Sequence, residues 1–237
     1  MSEVYFTNQE LKDRIAAVRE KMANAALRAG RKPEEVLLCA ACKAQSSEII
    51  RQSAAFDIDV FGENRMQEMA LHLQENAFLG KPCHFIGRLQ TNKVKNVVGQ
   101  AELIHSVGSG RLLSAISKEA EKQGIIQDVL IQINLVGEES KAGIAPEELD
   151  SLMEYACEQK TVRVSGLMAI PPASMGEQET RGYFASLRNL MEQLKSRSYP
   201  NCNPDILSMG MSDSYEWAIE EGATIVRVGR VIYGERL

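Results

Sequence analysis

Along this chain the spacing of apolar positions switches repeatedly between two periods. From Thr7 to Ala29 it is helical, with Leu11, Ile15, Val18 and Met22 on one stripe, which predicts an amphipathic helix stopped by Gly30 and Pro33. VLLCAAC then forms a short apolar run, as a strand buried on both faces does. SSEIIRQSAAF returns to the helical period, with Ser46 placed to cap it. Further strands are predicted in DIDVFG, CHFIG, ELIHSV, DVLIQINL, VRVSGLMAI, DILSMG and TIVRVG. Between them lie the helical segments NRMQEMALHLQEN, TNKVKNVV, SGRLLSAISKEAEKQG, APEELDSLMEYACEQ, GEQETRGYFASLRNLMEQLKS and SDSYEWAIEEG. Eight strands alternating with helices predict a parallel sheet of the α/β class and, in a chain of this length, a (β/α)8 TIM barrel. An open doubly wound sheet is the alternative. After the eighth strand only RVIYGERL remains, too little for a full helix, so the extra N-terminal helix is expected to cover that gap. Residues 1–237 read as a single domain, with 1–32 as the N-terminal helix and lead-in.

Composition narrows the function. At 44% hydrophobic residues, the chain can fill a sizeable core. A formal charge of -5 argues against a general nucleic-acid binder, and the basic stretch RLQTNKVK reads as a solvated helix face. The polar start MSEVYFTNQELKDR does not resemble a secretion signal, and no apolar run is long enough to cross a bilayer. Five cysteines, an odd number, suggest free thiols in a reducing cytoplasm. Cys39 and Cys42 form a C-x-x-C within a strand, where positions i and i+3 face opposite sides, so no shared dithiol or metal chemistry is expected. Three scattered histidines make no metal signature.

In a barrel of this kind the chemistry sits at the carboxyl ends of the strands. The unusual residues collect there: Lys43 at the tip of strand one, Gly62–Asn64 after strand two, His84 in HFIG and His105 in strand four. Asn134, Met168, the run LSMGMS from Ser208, and RVGR from Arg227 to Arg230 complete the set. Plainer readings exist for several. Lys43 can pair with Glu63, Asn64 can cap a helix, His84 can be a hydrogen-bonded core residue, and His72 looks solvated on its helix. The loops after strands seven and eight are more specific, because small residues and Gly229 let backbone amides approach an anion such as phosphate. A lone lysine at one end and a phosphate cradle at the other suit an aldehyde that carries a phosphate. Pyridoxal 5'-phosphate is such a molecule, and a lysine amine captures its aldehyde. Burial at the strand tip is expected to keep the Lys43 amine partly neutral. Arg227 is placed to meet the pyridine nitrogen as a permanent cation.

Six stretches, CKAQ, FGENRMQE, HFIGRLQTNK, VLIQINLVGEESKAG, GLMAIPP and LSMGMSDSYEWAIEEGATIVRVGRVIYGERL, occur in an order that resembles the pyridoxal phosphate homeostasis protein family. These are single-domain relatives of the alanine racemase barrel, and the resemblance runs from about Pro33 to Arg236. It implies a barrel that holds pyridoxal 5'-phosphate as an internal aldimine, covalent at Lys43. Asn64 is implied near the ring substituents, and Arg227 at the pyridine nitrogen. Ser208 and the backbone of Gly229 and Arg230 are implied at the phosphate, with Met211 and His84 lining the pocket. The family has no established turnover and is associated with intracellular cofactor balance. That implies a cytoplasmic monomer or weak dimer with PLP-dependent apoenzymes as candidate recipients, and neither nucleic acid nor membrane as a partner. The sequence departs from the family at four points: Cys42 before the lysine, Arg65 after GEN, Gly108 after IHSV, and Arg230 where serine or threonine is usual. Two alternatives stay open. One is a racemase-like PLP enzyme, disfavoured here because the chain is expected to lack the second domain that brings an opposite-face base. The other is a sugar-phosphate barrel with Lys43 as an electrostatic clamp.

Overall fold

The structure, a computed structural model, describes residues 7–137, 142–197 and 199–234. Part of the GEESKAG stretch and the closing ERL lie outside the described residues. Eight parallel strands close into a barrel in sequence order. They are β1 (Leu37–Ala41), β2 (Val60–Glu63), β3 (Cys83–Phe85), β4 (Leu103–Val107), β5 (Gln127–Gln132), β6 (Val162–Met168), β7 (Cys202–Ser208) and β8 (Ile225–Val228). The helices are α1 (Asn8–Arg28), α2 (Ser47–Ala54), α3 (Met66–Gln74), α4 (Gly110–Gln123), α5 (Leu149–Cys157), α6 (Glu177–Lys195), α7 (Tyr215–Glu220) and α8 (Arg230–Tyr233). The expected (β/α)8 barrel is thus the observed fold.

Alternation along each strand splits the core in two. Leu38, Ala40, Phe61 and Ile104 join the outer layer beneath the helices, whereas Cys39, Val60, Ile86, Leu103, Leu130, Met168 and Ile225 fill the barrel interior. Cys39 and Cys42 fall on opposite sides, as the strand period requires, and both are buried free thiols. Thr7 caps α1 through a reciprocal box with Glu10. The buried stripe of α1, Leu11, Ile15, Val18 and Met22, packs on α2, α7 and α8. A four-residue α8 covers little of β8 and β1, and the N-terminal helix supplies the missing cover.

Two elements differ from the sequence expectation. Thr91–Asn96 forms a tight 3-10 turn instead of an α-helix, closed by bonds such as Lys93 N–H to the Gln90 carbonyl. Two asparagines and a β-branched valine in six residues favour the shorter form. β5 ends at Gln132 and not at Leu135: the Ile133 amide still reaches the Met168 carbonyl of β6, but beyond it the chain turns to bridge with Ile144, to whose carbonyl Asn134 N–H donates.

Gly166 lets β6 press against β7. Its φ is 150°, and a Cβ there would lie 1.9 Å from the Ile206 carbonyl oxygen. Gly166→Ala is therefore expected to destabilise the barrel by roughly 2–4 kcal/mol, combining backbone strain with a displaced strand. Urea unfolding of the variant against the wild type checks this, and a loss below 0.5 kcal/mol, about the range of neutral surface changes, would contradict it.

Candidate functional site

A cavity of about 580 Å³ opens at the carboxyl ends of the strands, within the usual range for small-molecule sites. Six of the eight residues singled out above line it: Lys43, Asn64, Met211, Arg227, Gly229 and Arg230. The other two, His84 and Ser208, are buried and are not among its lining residues. Ala41, Ile86, Ile170, Ser212, Asp213 and Tyr233 complete much of the wall.

Lys43 does not stand at a buried strand tip. β1 ends at Ala41, the Cys42 amide makes the last contact with the sheet at the Gly62 carbonyl, and Lys43 follows in a turn where Ala44 takes φ 60°. The lysine side chain is exposed at the cavity rim. The pairing expected between Lys43 and Glu63 is not the one observed. Glu63 faces the outer layer and meets His72 Nδ1 through its Oε1 at 2.7 Å. His72, expected to be solvated, is only 1% exposed because its helix turns it inward onto β2 and the Phe78 ring. Burial raises the Glu63 carboxyl above its ordinary range, and the histidine beside it pulls in the other direction. Asn64 is not the cap of α3, since Arg65 holds that position and makes no side-chain cap bond. Asn64 instead lines the cavity.

The floor is a buried hydrogen-bonded row. Arg227 pairs in register with Cys39 on the inward face and is 5% exposed. Its Nη2 donates to the Ala169 carbonyl at 3.0 Å and its Nη1 to Ser208 Oγ. Ser208 Oγ lies 2.9 Å from His105 Nδ1, and His105 Nε2 lies 3.0 Å from His84 Nδ1. A guanidinium can only donate, and the buried Ser208 hydroxyl hydrogen needs an acceptor of its own; a neutral His105 with hydrogen on Nε2 satisfies both, accepting from Ser208 at Nδ1 and donating to His84 Nδ1. Burial pushes the His84 imidazole down to about 4. Burial, and then the charges of His84 and Arg227, hold His105 well below the usual histidine range. Burial lowers Arg227 to about 10, so it remains a cation at neutral pH. Ser208 is fully buried between Arg227 and His105. His84 contributes through the row and not through the wall.

The mouth is formed by the chain after β7 and β8. Gly229 lets this backbone approach β1, because a Cβ there would lie 3.0 Å from the Ala41 carbonyl oxygen. Arg230 and Asp213, one from each loop, form an ion pair across the opening. The Tyr233 hydroxyl, 3.0 Å from Ser53 Oγ, closes the wall behind them. Among the described lining residues Lys43, Arg227 and Arg230 are cationic and Asp213 is the carboxylate, so the cavity favours a small anion. His105, Ser212 and Asp213 were the residues least legible as functional. Ser212 and His105 carried a signal through their strand-end position, and Asp213 carried none. No group of three or more metal-ligating side chains occurs among the described residues.

A closed parallel barrel with a lysine, a buried arginine and a glycine-edged mouth at its carboxyl face defines the alanine racemase-like barrels, and the family model "Alanine racemase, N-terminal domain" matches residues 10–237. The protein of Aquifex aeolicus (strain VF5) named pyridoxal phosphate homeostasis protein is 46% identical over 224 residues, covering 94% of this chain and 97% of its own. Its namesake from Escherichia coli (strain K12) is 38% identical over 228 residues, covering 94% and 95%. The chain belongs to the pyridoxal phosphate homeostasis protein family. The solved structure of PipY from Synechococcus elongatus PCC7942, described with PLP bound, superposes with a TM-score of 0.84 at 31% identity, over 94% of this chain and all of that one.

Proposed function

We propose that this chain is a single-domain, cytoplasmic pyridoxal 5'-phosphate binding protein that serves intracellular balance of the cofactor and carries out no turnover. One observation carries the reading: a single cavity brings Lys43, from the start of the chain, together with Arg227, Gly229 and Arg230 from its end. That donor set suits the ligand, since it offers an amine, a buried cation and a glycine-edged anion cradle in a volume adequate for a substituted ring. Family membership and the PLP-bound PipY relative support it.

When bound, the cofactor supplies an aldehyde, an electron-poor ring and a phosphate dianion. Lys43 is the amine that engages the aldehyde. Asn64, Ile86, Ile170 and Met211 flank the ring. Arg227, held by Ala169 and Ser208, would meet the ring nitrogen and, as a cation, would disfavour a proton on it. The amides of Gly229 and Arg230, with the Ser212 hydroxyl, hold the phosphate, since the first residues of a helix such as α8 leave amide hydrogens without an intrahelical partner. Racemisation needs acid–base groups on both faces of a ring. Here the Tyr233 hydroxyl is bonded to Ser53, which favours retention over turnover. Apoenzymes that need the cofactor are the candidate recipients.

Incubation with pyridoxal 5'-phosphate is expected to turn the protein yellow, with a band near ~420 nm from the cofactor's own chemistry. Borohydride is then expected to fix the cofactor's mass on the peptide that contains Lys43. A protein that stays colourless would favour the sugar-phosphate alternative. Rapid lysine-dependent exchange of an amino acid's α-hydrogen with deuterium would overturn the absence of turnover.

A further inference from the structure

We propose that Asp213 is a built-in counter-ion for Arg230 that the phosphate dianion of an entering ligand displaces, so that Arg230 supplies a preference for phosphorylated over unphosphorylated pyridoxal and Asp213 tempers it. The proposal rests on the reading above and adds a residue and a mechanism of selectivity to it. The two side chains come from separate loops, after β7 and after β8, and meet across the mouth of the cavity that both line. Among the described residues, the side-chain hydrogen bonds of Arg230 run to the two carboxylate oxygens of Asp213. Arg230 is 46% and Asp213 80% exposed, and an ion pair so open to water contributes little to stability and is cheaply exchanged.

Exchange is favoured only for the right ligand. A phosphate monoester offers the guanidinium two charges and several oxygens in place of one carboxylate. Unphosphorylated pyridoxal offers neither, and leaves the Arg230–Asp213 pair closed. Asp213 therefore works as a threshold: it satisfies the cation while the mouth holds no dianion, and it repels any anion too weak to take its place. Among the described lining residues it is the one carboxylate in a cavity that also holds three cations, Lys43, Arg227 and Arg230. Its removal leaves the mouth more positive without touching the floor.

The test compares the affinities of wild type, Asp213→Asn, Arg230→Ser and the double variant for pyridoxal 5'-phosphate and for pyridoxal, by absorbance titration. Asp213→Asn is expected to bind the phosphorylated form roughly 3- to 10-fold more tightly, the scale of removing one nearby like charge partly screened by water. Arg230→Ser is expected to weaken it roughly 10- to 100-fold, the scale of losing charge-assisted bonds. Pyridoxal should respond to neither. The double variant should match Arg230→Ser, because Asp213 acts by competing for that arginine. An Asp213→Asn affinity equal to or weaker than wild type, or equal effects on both ligands, would overturn the proposal. Failure of the wild type to take up any cofactor would instead defeat the functional reading. The counter-ion role is then read with inorganic phosphate alone, whose protection against heat should be greater in Asp213→Asn and absent in Arg230→Ser; the reverse would overturn it.

Discussion

Lys43→Ala is expected to lose the yellow band completely, and borohydride should leave no cofactor mass on the protein. The argument is chemical. Attachment requires a nitrogen nucleophile that can release its proton, and among the described lining residues Lys43 supplies the one primary amine. Lys43→Arg is the sharper variant. It keeps a cation at the same rim position, but a guanidinium stays charged in proteins and cannot take the amine's place. Both variants should therefore fail to attach the cofactor while the floor and mouth remain. Residual, reversible binding of the phosphorylated form is expected through Gly229, Arg230 and Ser212. Equal binding and colour in Lys43→Arg and wild type would mean that the lysine acts as a charge clamp, and the sugar-phosphate alternative would take over. Because Lys43 sits exposed in a turn and not within the packed barrel, neither change should unfold the protein. Thermal denaturation of the variants checks that separately.

Acid is expected to destabilise the protein through the buried histidine row. His84 and His105 lie neutral inside the barrel, where a proton has no solvent to stabilise it. An unfolded histidine takes a proton near 6.5, whereas folded His84 resists until about 4. Within that window the unfolded chain holds more protons than the folded one, so stability rises with pH through it. The contribution is fully present above 6.5 and is lost as the pH falls towards 4. His84 alone is worth about 3 kcal/mol over the full window, and His105 adds in the same direction. Glu63 opposes this, because burial raises its carboxyl, so it gives up stability as the pH climbs. Two histidines outweigh one carboxyl, and a net loss between pH 7.5 and 5 is the expected result from urea unfolding. His105→Phe should flatten that dependence while costing about 1–3 kcal/mol at pH 7.5, because it removes the bonds that His105 makes to Ser208 Oγ and to His84 Nδ1. A wild type whose stability is unchanged from pH 7.5 to 5 would contradict the neutral row.

The alternation of periods was enough to identify eight strands, their order and the barrel, because burial on both faces of a parallel strand writes itself into consecutive residues. It also indicated which ends of the strands to examine, and six of the eight chosen residues reach one cavity. Local sequence could not set depth. Lys43 looked buried because an apolar run precedes it, but the strand stops two residues earlier and a turn carries the lysine to the rim. His72 looked solvated because it sits on the face of an amphipathic helix, but the helix turns it onto Glu63. Ser208 opens a small-residue loop in the sequence, and only its register with Met168 of β6 shows it to be the buried end of β7.

What the chain determines alone is therefore everything that depends on period and composition: the element order, the parallel closure, and the candidate chemistry of an amine at one end and a glycine-edged anion cradle at the other. What only the folded barrel decides is which side chains share a space. His84, His105, Ser208 and Arg227 come from four strands and as many as 143 positions apart along the numbering from 84 to 227, yet they form one hydrogen-bonded row. Hydrogen bonds and desolvation act over a few ångströms of space and carry no trace in local periodicity, so that row, and the Asp213–Arg230 pair above it, became visible only once the strands had closed.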